Sequence, residues 1–188
     1  MEMEAEFLKS EWYKKVFDQV RKKYDTIVND SDYANEANNR IRKSFLWQSR
    51  KDLLEKLPFP DIHWYLASLK KDEFSELLII RETGWEKTFG TAKKLKDVGT
   101  AIKAGIKDQG VEFDLIEKIK NNIGSHPLKE KLILIATSVK GPFTVVEGNH
   151  RAVAFQMKAD ETGNISHLPV EIILGISPNM HVSPWLNG

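Results

Sequence analysis

Pro58 and Pro60, in the stretch "LPFP", divide the chain into two segments with different hydrophobic periods. Neither residue can continue a helix, because proline lacks an amide hydrogen and its ring collides with the preceding turn. Before them, Leu8, Trp12, Val16, Val20, Tyr24 and Ile27 recur three or four positions apart and predict one amphipathic helix over the first thirty residues. The polar stretch Asn29 to Tyr33 breaks that pattern. Ser31 or Asp32 is the expected N-cap of a second helix running through Ile41, Leu46, Leu53 and Leu54. Residues 1–60 therefore read as an N-terminal helical hairpin, and residues 61–188 as the main domain.

Beyond the prolines the apolar runs shorten into strands. "HWYLASL" and "SELLIIRET" have the aromatic and aliphatic content of buried strands, the second ending near Arg81. "GWEKTFGTAKK" reads as a glycine-bounded loop leading into a helix with Ala92, Leu95, Val98, Ile102 and Ile106 on its apolar face. "FDLIEKIKNNIG" repeats the helical period and stops at Gly124. "KLILIAT" and "FTVVEG" form an expected hairpin around Gly141 and Pro142. "HRAVAFQMKADE" is helical, and after a loop containing Gly163 "LPVEIILG" is a final strand. Helices followed by strands mixed with helices predict an α+β fold, a mixed sheet preceded by the helical extension.

Composition narrows the possible functions. Of 188 residues, 41 % are apolar and 29 % charged, which suits a packed globular chain. No apolar run approaches the ~20 residues of a membrane span, so no membrane partner is expected. The absence of cysteine excludes disulfides, thiolate metal sites and cysteine nucleophiles, and with the acidic start "MEMEAE" it fits a cytoplasmic location. The net charge of +1 gives no overall attraction to nucleic acid. Arg40–Lys56 and Glu86–Lys107 each hold six basic residues against two acidic ones, leaving basic helices through which nucleic acid or a protein could dock. His63, His126, His150, His167 and His181 are scattered, with no metal-ligand spacing, so no metal site is predicted.

The densest chemistry lies in "VVEGNHRAVAF", where a strand turns into a helix. A helix start leaves backbone amides without intrahelical partners and carries partial positive charge, so it stabilises an anion. Gly148 allows close backbone approach or positive φ, and Asn149 is a good capping residue. His150 and Arg151 add donors, the guanidinium as a fork suited to phosphate oxygens. Glu147 could take a proton or bind a cation, but it repels an anion unless a cation intervenes. A capped helix start with solvated His and Arg side chains explains the same letters. Arg81 at a strand end, and Thr88, Thr91 and Lys93 before a helix, form a second, accessory set of candidate anion ligands.

"VVEGNHRAVAFQ" followed by "LPVEIIL" resembles the ParB and sulfiredoxin superfamily. There a strand ends in Gly, a variable residue, His or Arg, and Arg, followed by a helix and a strand often opening with Pro. The resemblance implies a ParB/sulfiredoxin-like domain in which Gly148, Asn149, His150 and Arg151 bind nucleotide phosphate. A nucleotide with magnesium is the implied ligand, and nucleotide hydrolysis or phosphoryl transfer assisted by Glu147 and His150 the implied chemistry. Asn149 stands where sulfiredoxin has its cysteine, which excludes that reductase reaction. Only about thirty residues follow the motif helix, too few for the DNA-binding and dimerisation segments of ParB partition proteins. "GPFTVVEGNHR" also overlaps the Fic motif, but Gly141 replaces the histidine that motif requires. The alternative from a different class is a non-catalytic protein- or DNA-interaction module whose His-Arg corner is structural.

Overall fold

The computed structural model describes residues 2–12, 15–59, 61–108, 110–123, 131–163 and 170–187. The chain is α+β, as its pattern predicts. Five strands, β1 (His63–Leu69), β2 (Leu78–Ile79), β3 (Leu132–Ala136), β4 (Thr144–Glu147) and β5 (Val170–Ile176), form one mixed sheet in the order β1-β5-β3-β4-β2. β1 is antiparallel to β5 and β3 to β4, whereas β5–β3 and β4–β2 are parallel. All five residues of the central strand β3 are buried, so both sheet faces are covered.

The eight α-helices among the described residues are α1 (Glu2–Glu11), α2 (Asp18–Asn29), α3 (Glu36–Leu54), α4 (Lys71–Ser75), α5 (Thr83–Phe89), α6 (Leu95–Lys103), α7 (Phe113–Asn122) and α8 (Asn149–Thr162). α6 and α7 pack on α8, while α1 packs on α3 and reaches β1 and β5. Core residues of α1 and α3, such as Phe7, Leu8 and Leu54, join the same hydrophobic cluster as those of the sheet. No described helix is long and apolar enough to cross a membrane.

The first thirty residues form two helices instead of the single one expected. α1 stops at Glu11, and a 3-10 turn, Lys15–Phe17, sends α2 back. The Trp12 carbonyl accepts hydrogen bonds from Arg21, and Phe17 packs on the Trp12 ring at 4.9 Å. That aromatic contact overrides the continuous period and leaves Val16 exposed. The cap of α3 is also displaced. Asp30 and Asp32 accept hydrogen bonds from the Asp32 and Ala34 amides, forming successive turns, and Asn35 caps α3 through the Asn38 amide. Pro60 and Gly124 lie outside the described residues.

The segment expected as a loop at "GWEKTFG" is α5. Trp85 and Phe89, four positions apart, are both buried and stack at 5.9 Å, and Phe89 meets Phe113. Helical spacing of two buried aromatics outweighs the flanking glycines. The following helix starts at Leu95, three residues later than expected, because Lys94 bridges to Leu78 at the sheet edge.

Candidate functional site

The β4–α8 corner is held by three local features. Val146 is an extra residue in β4, since Leu134 pairs with Val145 and Ile133 with Glu147. Such a bulge turns the strand end and re-aims the side chain after it. Gly148 then adopts φ +92°, and a Cβ there would lie 2.6 Å from Leu132 Cδ2 and 2.9 Å from Arg151 Nη2. Only glycine meets both requirements.

Gly148, and not Asn149, occupies the N-cap of α8. Asn149 is the first helical residue and is buried; its Oδ1 accepts the Ile80 amide at 3.1 Å. It ties the end of β2 to the start of α8, so its fitness as a cap is not what is used here.

Glu147 is paired from two sides. Its Oε2 accepts from Arg50 Nη2 at 2.5 Å, and its Oε1 lies 3.8 Å from Arg151 Nη2. Arg50 Nη2 is also 2.6 Å from Glu11 Oε2, a carboxylate only 1 % exposed. Burial alone would lower the Arg50 pKa, but the charge of Glu147 and the bonds to Glu11 outweigh it and hold the group above its ordinary value. Two carboxylates and two guanidiniums therefore form one network joining α1, α3, β4 and α8. The cation that Glu147 needs is Arg50, and α3 is kinked at that residue, where φ −132° and ψ 25° are not helical.

Beside this network lies a cleft of about 900 Å³. Gly148, Asn149, His150 and Arg151 line it, together with Arg50, Lys51 and Lys56 of the α3 region and Trp85 and Trp185. The His150 ring sits 5.0 Å from that of Trp85. Trp185 donates its indole N–H to the Leu53 carbonyl at 3.1 Å and carries Lys56 Nζ 4.5 Å above its ring, anchoring the C-terminal stretch to α3. The four basic residues Arg50, Lys51, Lys56 and Arg151 share the lining with four acidic ones, Asp52, Glu82, Glu112 and Glu147.

The accessory residues are not among those lining this cleft. Arg81 turns to Glu86, with Nε 3.3 Å from Oε1. Thr88 donates to the Gly84 carbonyl at 2.8 Å inside α5, so it does not start a helix. Thr91 is exposed, and the Lys93 carbonyl accepts the Ile79 amide at the sheet edge.

The basic patches also divide. Arg42 is buried and donates to the carbonyls of Ile27 and Asp30, closing the end of α2, while Arg50 enters the cleft. Lys94 and Lys96 both hold Glu76, and Lys103 lies near Asp160. Neither patch is a uniform basic face. Among the described residues, no group of three or more His, Asp or Glu side chains could hold a metal ion. His126 and His167 lie outside those residues.

Arg50 and Glu11 escaped the sequence reading. The available signal was an arginine and a glutamate on otherwise amphipathic helices, and nothing in their spacing points 97 positions ahead to Glu147. No protein-family model, curated protein or solved structure matches this chain.

Proposed function

We propose that the β4–α8 corner binds the phosphate of a nucleotide or another phosphorylated ligand, in a ParB/sulfiredoxin-like arrangement. One observation carries this reading: the start of a fourteen-residue helix, α8, preceded by a left-handed glycine, opens into a cleft of about 900 Å³. That volume suits a nucleotide-sized molecule, since ligand pockets run to roughly 300–1,000 Å³. The first turn of α8 supplies backbone donors and the helix dipole, and His150 and Arg151 supply side-chain donors. Asn149 holds this turn in place through Ile80.

Glu147 keeps Arg50 and Arg151 aimed at the corner. A phosphate would compete with the Glu147 carboxylate for both guanidiniums. Displaced from Arg50, Glu147 becomes available as a proton acceptor, and His150 as a proton carrier, in nucleotide hydrolysis or phosphoryl transfer. Orientation and charge neutralisation provide most of the rate in such reactions, and the two arginines are the residue types suited to both.

A second reading, a non-catalytic interaction module, is favoured by the balanced charge of the cleft lining, in which four acidic residues offset four basic ones. Titration calorimetry and thermal shift with ATP, ADP, CTP and GTP, with and without magnesium, separate the two. The phosphate reading expects stabilisation by at least one nucleotide, about 2.7 kcal/mol at a hundredfold excess over Kd. It also expects Arg151→Lys and His150→Ala to weaken that effect. If no nucleotide raises the melting temperature and none gives heat of binding, the interaction module stands.

A further inference from the structure

The two edges of the sheet are protected very differently. β2 is two residues long, and its outer side is occupied: the Ile79 amide donates to the Lys93 carbonyl, and the Ile79 carbonyl accepts from Asn187 Nδ2. β1, the opposite edge, runs for seven residues fully paired to β5 on its inner side. Among the described residues, no backbone hydrogen bond outside that ladder reaches residues 63–69. Natural sheets blunt such edges with charge, proline, a bulge or a covering element. "HWYLASL" has no acidic residue, lysine, arginine or proline, and its pairing with β5 shows no register shift. Tyr65 and Leu66, two large apolar residues in its middle, are 48 % and 54 % exposed.

We propose that β1 pairs edge to edge with β1 of a second copy of this chain, antiparallel about a two-fold axis at Leu66. The flanking charges set the occupant and its direction. Asp61 precedes the strand, and Lys70 and Lys71 follow it. In the antiparallel arrangement Asp61 of each copy falls toward Lys70 of the other. A parallel pairing would set aspartate against aspartate and lysine against lysine. Centring on Leu66 overlaps the whole strand, so Leu66 meets Leu66 and Tyr65 meets Ala67 of the other copy. An antiparallel pair of this kind joins the two sheets into one of ten strands, twice the five of a single copy.

Seven residues span roughly 23 Å of strand, and one strand pair buries less than a standard interface, so association is weak, with Kd on the order of micromolar. The inference is independent of phosphate binding, since β1 lines no part of the cleft.

Sedimentation equilibrium of the full chain from about 1 to 500 µM tests it. The expected result is a monomer–dimer equilibrium that Leu66→Lys weakens at least about tenfold, because a like-charge pair then sits on the axis. Leu66→Glu is expected to do the same, and an equimolar mixture of the two variants is expected to restore a dimer. Asp61→Lys, outside the strand, removes an exposed hydrogen bond from Asn179 Nδ2, so its fold is checked by circular dichroism; the folded variant is expected to weaken association if pairing is antiparallel and to leave it unchanged if pairing is parallel. A wild-type chain monomeric throughout that range overturns the proposal. So does a dimer insensitive to both Leu66 variants, and Asp61→Lys without effect overturns the antiparallel direction.

Discussion

Arg50 and Glu147, 97 positions apart in sequence, meet at 2.5 Å where α3 kinks toward the end of β4. The contact joins the N-terminal helices to the β4–α8 corner that holds the candidate site residues. Glu11 completes it from α1 with an almost wholly buried carboxylate. The helical segment is therefore part of the wall of the cleft.

Removing Arg50 leaves Glu11 and Glu147 close together with their shared cation gone. Arg50→Ala is expected to destabilise the fold by about 3 kcal/mol, the lower end of the range for a broken buried pair, because the arginine side chain is one-quarter exposed. Urea denaturation measures it. Arg50→Lys is expected to recover only part of the loss, since a shorter side chain must bring its ammonium to both carboxylates that Arg50 Nη2 now holds.

Gly148→Ala forces a side chain into positive φ and into contact with Leu132 and Arg151. The expected cost is about 1–3 kcal/mol in chemical denaturation. Leu132→Ala should not rescue it, because the backbone strain persists even when the clash at Leu132 is relieved.

Asn149→Ala takes away the acceptor of the buried Ile80 amide and is expected to cost about 1–3 kcal/mol. Asn149→Asp keeps an acceptor oxygen and is expected to remain close to wild type in stability at neutral pH. If phosphate binds at the corner, the same aspartate is expected to weaken nucleotide binding by its charge, which calorimetry on the folded variant reads directly.

Acid stability should report on Glu6. Burial pushes its carboxyl pKa up, but hydrogen bonds from Tyr33, Lys9 and Lys131 outweigh this and lower it from 4.5 to about 2. A depressed folded pKa means that the stabilisation is full above the unfolded value near 4.5 and is lost as pH falls toward 2. The loss is on the order of 2 kcal/mol, and Tyr33→Phe, which deletes a 2.5 Å bond to Glu6, is expected to flatten that slope. Glu76 is also lowered to about 2 by Lys94 and Lys96, but it lies at the surface, so its share should vanish in high salt while that of Glu6 persists.

The α+β class, the strand at "HWYLASL" and the β3–β4 hairpin were legible because each rests on a local hydrophobic period and on turn residues next to it in sequence. The glycine of the corner was legible for the same reason: Gly148 takes the positive φ that a strand-to-helix turn admits. Whatever depended on distant partners was not. Asn149 has the letters of a cap but spends its oxygen on Ile80, 69 positions earlier. The break in the first helix was hidden because Trp12 and Val16 keep the period, whereas Phe17, outside it, takes the buried place. The bulge at Val146 leaves no mark in composition at all.

Asn187 is buried, and its side chain donates to the Ile79 carbonyl, 108 positions earlier, and accepts the Ala92 amide. Its backbone amide and carbonyl each pair with the Thr144 hydroxyl. During synthesis β2 is complete long before the residue that covers its outer side exists. β2 becomes an edge of the sheet only when β4 (Thr144–Glu147) has been made to pair with it, so that edge stays open from then until Asn187 follows, and the two-residue length of β2 limits what it can capture while it waits.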